Sequence, residues 1–242
     1  MHIQSIFRLL IRGFRKRRMH RFAHAFTVTD ATSVIDVGGT PLNWEFLQAA
    51  PAVTLLNLDT PAADPELEHL ARVIADGTRL PYADRSFDVA FSNSVIEHLG
   101  TAKRRSAFAR ELRRVGKGVW VQTPARSFFL EPHFLTPFVH FLPRHWRRRV
   151  LRNGTLWGWV TRPTQAVVDR FVESTELLGL TEMRRLFPDC EIRRERFLGM
   201  TKAYVAVRGA VQSGPVRFRE GVSQCVAHSE LDSQSESSRG SS

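Results

Sequence analysis

VIDVGGTP (34–41), LLNLD (55–59) and ADGTRLPYADRSFDVAFSNSVIEHL (75–99) each carry an apolar run that ends in small, acidic or amide residues. Parallel strands covered on both faces read this way, because only their carboxyl ends meet polar surroundings. Asp36, Asp59, Asp76 and Asn93 therefore fall along one edge of an open α/β sheet, with room for a crossover between successive strands. A nucleoside-type cofactor suits such an edge.

Working outward, the pattern predicts strands over 33–37, 53–58, 72–75, 87–92 and 118–122. It predicts a crossover helix over 41–50, with Pro41 in its first turn, and a basic amphipathic helix over 101–115. Regular strand–helix alternation of this kind argues for a mostly parallel sheet. The alternation breaks over 124–162, a stretch rich in Pro, Phe, Trp, His and Arg without a period, which reads as an insertion above the strand edge. Helices are expected over 163–178 and 181–187. CEIRRERFLG (190–199) and TKAYVAVRG (201–209) then read as an antiparallel hairpin. The domain organisation is a basic N-terminal helix (1–29), one α/β domain (30–208) and a Ser-rich tail (209–242) expected to be disordered.

The 242 residues suffice for one α/β domain with extensions, and 43% apolar with 24% charged residues is ordinary for a globular chain. The net charge of +11 is not ordinary, and it is clustered. Arg8, Arg12, Arg15, Lys16, Arg17, Arg18 and Arg21 form one group, and Arg144, Arg147, Arg148, Arg149 and Arg152 another. Both suit phosphates. Ile3, Phe7, Leu10, Phe14, Phe22 and Phe26 recur at roughly helical spacing through the first group. That helix is read either as a lid packed on the core or as a helix lying on an anionic membrane. Two cysteines, Cys190 and Cys225, supply neither a metal site nor a disulfide framework, and Cys190 is expected to be a core thiol. With no spanning segment and no signal-like leader, the expected setting is cytoplasmic, peripheral to the inner face of a membrane.

The block over 34–98 resembles the class I S-adenosylmethionine-dependent methyltransferases, in particular the methyltransferase type 11 group; the resemblance spans roughly residues 30–208, and LPYADRSFDVAFSNSVIEHL is its most specific part. The resemblance implies a Rossmann-like fold, a seven-stranded, mostly parallel sheet closed by an antiparallel hairpin, and S-adenosylmethionine as methyl donor. It further implies that Asp76 accepts from the adenine amine, with Gly77 shaping the turn beside the ring. Asn93 would meet the methionine portion, and Asp36 would organise the loop near the ammonium. Gly38 and Gly39 let backbone approach a ligand. The family's acid–x–Gly–x–Gly–x–Gly segment is departed from, with Thr40 and Leu42 at its second and third glycine positions. Asp59 suits a ribose diol in either methyltransferases or dinucleotide-binding proteins.

Methyl transfer to a hydroxyl acceptor benefits from a general base, most often His. His98, directly after the fourth strand, and His133, in RSFFLEPHFLTPF (126–138), are the candidates, each balanced against a capping or packing role. The aromatics of 124–162 read as an acceptor pocket, a membrane-facing patch or plain packing. The leading function is methyl transfer to a small-molecule or lipid- or glycan-linked acceptor, with no metal. The alternatives are a nicotinamide-dependent oxidoreductase, opposed by the missing GxGxxG; a non-catalytic methyltransferase-like adaptor; and an RNA methyltransferase, opposed by the lack of an RNA-binding module or base-flipping motif. Nucleic acid is therefore not an expected partner.

Overall fold

The computed structural model describes residues 3–59, 70–128, 130–131, 136–137, 139 and 142–209. Their order is α1 (Ile3–Phe26), β1 (Ser33–Val37), β2 (Ala52–Asn57), β3 (Ala71–Ile74), β4 (Phe87–Asn93), α2 (Ala102–Val115) and β5 (Gly116–Pro124), then a two-residue pair β6 (Leu130–Glu131) and β7 (Thr136–Pro137). Helices α3 (Arg144–Asn153), α4 (Leu156–Thr161), α5 (Gln165–Ser174) and α6 (Leu180–Leu186) follow, and the hairpin β8 (Glu191–Phe197) and β9 (Met200–Arg208) comes last. The tail expectation, Cys225 and His133 lie outside the described residues.

The sheet has seven strands in the order β3-β2-β1-β4-β5-β9-β8. β1 to β5 run parallel, and β9 enters antiparallel between β5 and β8. This is the mostly parallel Rossmann-like sheet with a terminal hairpin that the sequence implies. All five residues of β1 are buried, as are nearly all of β4 and β5, which is why these strands read as unbroken apolar runs. Strand order reverses between β1 and β4, so the carboxyl ends of those two strands open the crevice where α/β sheets take ligands.

Two apolar layers cover the sheet. On one face Phe108, Leu112 and Val115 of α2 pack with Met183 and Leu186 of α6 against Ile35, Leu56 and Val119. On the other face Met19, Phe22 and Phe26 of α1 pack with Val34, Phe91 and Trp120. The second half of the N-terminal stripe is thus core, and α1 from Met19 to Phe26 is a layer of the domain. Phe22 is fully buried, with ring centroids 5.9 Å from Trp44, 5.0 Å from Phe91 and 5.7 Å from Trp120, all near edge-to-face.

That layer explains a correction. The helix expected over 41–50 is a six-residue 3-10 turn, Pro41–Phe46. The face that a crossover helix would cover is already occupied by α1, and Trp44 turns inward to meet it. The helix expected over 163–178 is likewise shorter, Gln165–Ser174. The insertion does contain helices: Val139 and Leu151 cluster with Val168 and Val172 of α5 as a small separate core. Cys190 is half-buried just before β8, and burial pushes its thiol up to about 12.

Phe22→Ala should lower the free energy of unfolding by about 3–5 kcal/mol, because it empties the centre of the α1 layer. Val167→Ala, at an exposed position of α5, should change it by less than about 0.5 kcal/mol. Urea unfolding of the two variants beside the parent measures both.

Candidate functional site

The carboxyl end of β1 delivers Asp36 into complete burial. Trp44 Nε1 donates to its Oδ2 at 3.0 Å, and Oδ1 has no partner among the described residues. Burial pushes this carboxyl up to about 7, opposed by the Trp44 bond. The loop that follows is built around it. Gly38 has φ +75°, and a Cβ there would lie 2.4 Å from Val95 Cγ2; a Cβ on Gly39 would lie 2.0 Å from Asp36 Oδ2. Glycine is thus imposed at both positions by the approach of backbone to neighbouring side chains. Gly38 N–H donates to Leu56 O at 2.7 Å, and Asn57 Nδ2 donates to Gly39 O at 3.1 Å, so the end of β2 holds the loop.

Past β3, Asp76 folds the turn that follows it. Its Oδ1 accepts from the Thr78 N–H and hydroxyl, both at 2.8 Å, and its Oδ2 accepts from Arg104 at 3.3 Å. Burial works against the Asp76 charge, but the Thr78 bonds and the Arg104 guanidinium outweigh it and hold the carboxyl below its usual range. It is therefore an ionised acceptor. A Cβ on Gly77 would meet Val37 Cγ1 at 2.7 Å and Phe108 at 2.9 Å, which places this turn against the end of β1. Asp59, just beyond β2, is exposed and has no hydrogen bond or ion pair among the described residues.

Asn93 ends β4, paired in register with Gln122 of β5. Its side chain is held from an unexpected direction. Arg18 of α1 donates to Asn93 Oδ1 at 2.6 Å and Gln122 Oε1 at 3.2 Å, and grips Glu195 of β8 through Nε at 2.9 Å and Nη2 at 2.8 Å. Burial alone would raise the Glu195 carboxyl; the Arg18 fork, with Lys202 and Arg21, reverses this and holds it low. Burial and Arg18 together bring the Lys202 ammonium down to about 8, with Glu195 opposing, and its Nζ lies 3.3 Å from the Phe14 ring centre. Ser94, at φ +59°, donates its N–H to Gln122 O at 3.0 Å and bonds Gln122 Oε1 through its hydroxyl at 3.0 Å.

His98 closes the 3-10 turn Ile96–His98. Its Nδ1 lies 3.2 Å from Thr175 Oγ1, just after α5. Beside it Glu97 is fully buried and accepts from Thr123 Oγ1 at 3.0 Å, while Glu97 O accepts from Glu176 N at 2.8 Å. The segment after α5 is thereby fastened over the β4 end. Packing and hydrogen bonds thus gather Asp36, Gly38, Gly39, Gly77 and Asn93 around the β1/β4 crevice, with Asp76 beside Gly77, His98 on the turn after β4 and Asp59 beyond β2. Trp44, Asn57, Arg18, Gln122 and Thr175 complete the surroundings without having been singled out in the sequence.

The family model of the methyltransferase domain matches residues 39–118, a span running from the glycine loop through α2 into β5. Over that span the chain is similar to methyltransferase domains. Magnesium protoporphyrin IX methyltransferase from Synechocystis PCC 6803, solved with bound SAH, superposes on it with a TM-score of 0.50 and 11% identity, over 86% of this chain and 88% of that one. A Rhodobacter sphaeroides protein assigned to the Zn-dependent alcohol dehydrogenases reaches a TM-score of 0.51 with 12% identity, over 79% and 88%. A SAM-dependent methyltransferase from Aquifex aeolicus aligns with a TM-score of 0.44 and 13% identity, over 78% and 88%. No curated protein matches. At such identities the structural likenesses speak to the fold alone.

The buried Asp36 carboxyl has a sign-determined consequence. Its folded pKa, about 7, lies above the ordinary 3.8, so the folded protein binds the proton more tightly. This contribution is fully present below about pH 4 and is lost as pH rises towards 7, by roughly 4 kcal/mol at most. Asp36→Asn, which keeps an acceptor for Trp44, should flatten the fall in stability between pH 4 and 7; denaturant unfolding across that range checks it.

Proposed function

We propose that the α/β domain uses S-adenosylmethionine to methylate a small-molecule or lipid- or glycan-linked acceptor. The observation that carries this reading is the convergence of the Gly38–Gly39 loop, the Gly77 turn and Asn93 on the β1/β4 crevice. The surrounding groups fit the donor. Asp36 Oδ1 is a buried acceptor without a partner among the described residues, and Asp59 is an exposed carboxylate with none. When bound, the donor supplies a methyl group already activated by the positive charge on sulfur.

The remaining work falls to this chain. Asp59 accepts from the ribose diol, and Asp76, whose Oδ1 is committed to Thr78, offers Oδ2 to the adenine amine. Asp36 and Trp44 fix the loop beside the donor's ammonium, and an arriving cation favours the ionised form of Asp36. With its side chain committed to Arg18, Asn93 turns its backbone to the methionine portion. His98, oriented by the Thr175 hydroxyl, takes the acceptor's proton; His133 is the second candidate for that role. Alignment and exclusion of water supply the rest of the acceleration. The second reading, a methyltransferase-like adaptor without catalysis, draws on Thr40 and Leu42 at the family's glycine positions.

Calorimetry with S-adenosylmethionine separates the two readings. Saturable binding supports the enzyme, and absence of binding at millimolar donor sinks it. Asp59→Ala should weaken the donor by about 1–3 kcal/mol through lost ribose bonds. His98→Ala should leave donor affinity intact and reduce turnover.

We also infer peripheral contact with an anionic bilayer through the helices over 3–26 and 144–152. Trp146 is 53% exposed and Trp159 67% exposed, beside the exposed Arg149, Arg152 and Arg162, which is the pairing of aromatic and basic groups that favours a headgroup layer. Among the described residues no helix is long and apolar enough to cross a membrane. In flotation assays the protein should rise with vesicles containing anionic lipid and remain behind with neutral ones. Equal retention on both would remove the arginines from the explanation.

A further inference from the structure

A groove of about 1070 Å³ runs between α1 and the β8–β9 hairpin, on the sheet face that α1 covers. Arg17, His20, Arg21 and His24 form one wall, at a spacing that places them on one side of a helix. Arg193, Arg194 and Arg208 come from the hairpin, and Ala25, Trp120, Val205 and Val207 supply an apolar floor. Its position is fixed by register. Val205 pairs with Gln122 and Val207 with Trp120, so the floor runs down the sheet, away from the Pro124 end of β5. The groove thus lies on the α1 face below the strand ends and adjoins the donor crevice through Glu195 and Arg18.

Its charge is not internally neutralised. Arg193 is paired with Glu191, Arg208 with Asp189, and Glu195 with Arg18. Glu191 and Glu195 also line the groove; Arg17, Arg21 and Arg194 are exposed and form no ion pair among the described residues, although Arg21 helps hold Glu195 ionised. Like charges gathered across a concavity repel one another, and the arrangement is relieved by a multivalent anion. The floor adds a second, independent sign. Trp120 is almost fully buried, and its indole N–H has no acceptor among the described residues. A buried donor of this kind costs stability until an acceptor arrives.

We propose that this groove is a second ligand site, which takes a phosphate monoester or diphosphate group between the α1 and β8–β9 walls. Planar guanidinium forks suit phosphate oxygens, and three of them in no ion pair match the charge of a diphosphate. The proposal does not depend on which donor the crevice binds. The phosphate belongs either to a soluble ligand or to a lipid headgroup, and the experiment distinguishes them.

The test is calorimetric titration of the full chain with sodium pyrophosphate at low salt, beside the same titration with S-adenosylmethionine. Saturable pyrophosphate binding is expected. It should weaken at least ten-fold in Arg17→Ala/Arg21→Ala and again in Arg194→Ala, which breaks the opposite wall. Arg110→Ala, at an exposed position of α2 on the other face of the sheet, should bind as the parent does. Unchanged donor binding or unchanged thermal unfolding in the groove variants shows that the fold has survived. If vesicles of phosphatidylglycerol compete with pyrophosphate and lose retention in the same variants, the phosphate is a headgroup; if they do not compete, it is soluble. Pyrophosphate binding that is equal in parent and groove variants overturns the site. So does single-stranded RNA that binds through the same arginines and is not displaced by pyrophosphate, which would make the groove a nucleic-acid track.

Discussion

The indole of Trp44 joins two parts of the molecule that have different physical origins. Its ring belongs to the aromatic layer formed by Phe22 and Phe91, and its one polar atom donates to the buried Asp36 carboxyl. A carboxyl at zero exposure is costly, and this bond is what ties it to a single position. The Gly39 backbone closes directly over that carboxyl, so the loop beside the crevice inherits its shape from the core beneath. Arg18 performs a similar task from the neighbouring strand ends, reaching from α1 to Asn93 and Gln122. The N-terminal helix is consequently part of the site's foundation, since both Phe22 and Arg18 act on residues at the strand ends.

The parts of this arrangement visible in the sequence are those with local causes. β1, β4 and β5 are buried on both faces, so most of their positions are apolar or small, and the run declares itself. The Asp76–Gly77–Thr78 turn is equally legible, because an Asp that bonds the second residue after it needs only three residues to form. The 3-10 turn at Pro41–Phe46 was not legible. Leu42 and Phe46 have a helix-like spacing, and what prevents a helix is a layer contributed by residues far earlier in the chain. Arg18 is the harder case. It stands among Arg15, Lys16, Arg17 and Arg21, with nothing local to set it apart, and its carboxylate partner Glu195 lies 177 residues away. His98 was visible as a candidate, whereas the Thr175 hydroxyl that orients it was not, for the same reason.

The large positive charge also divides once the fold is known. Arg18, Arg105 and Arg114 are structural cations. Arg105 joins α2 to Glu176 and Glu182, and Arg114 braces Asp84, Glu111 and the carbonyls of Leu80 and Tyr82. These charges are answered within the domain and contribute little field outside it. Arg17, Arg21, Arg149, Arg152 and Arg194 are exposed, and they set what the surface attracts. Adjacent arginines in one sequence cluster can thus serve opposite purposes, as Arg17 and Arg18 do.

The hairpin has one more consequence. β8 ends the sheet, and a terminal strand offers unpaired backbone groups to any other extended chain. Here Arg193, Arg194 and Arg196 are exposed along it, and the register shifts between Glu195 and Arg196. A second copy attempting to continue the ladder would meet a heavily charged edge and a broken repeat together. The same arginines that shape the groove thereby guard the protein against growing into a polymer of itself.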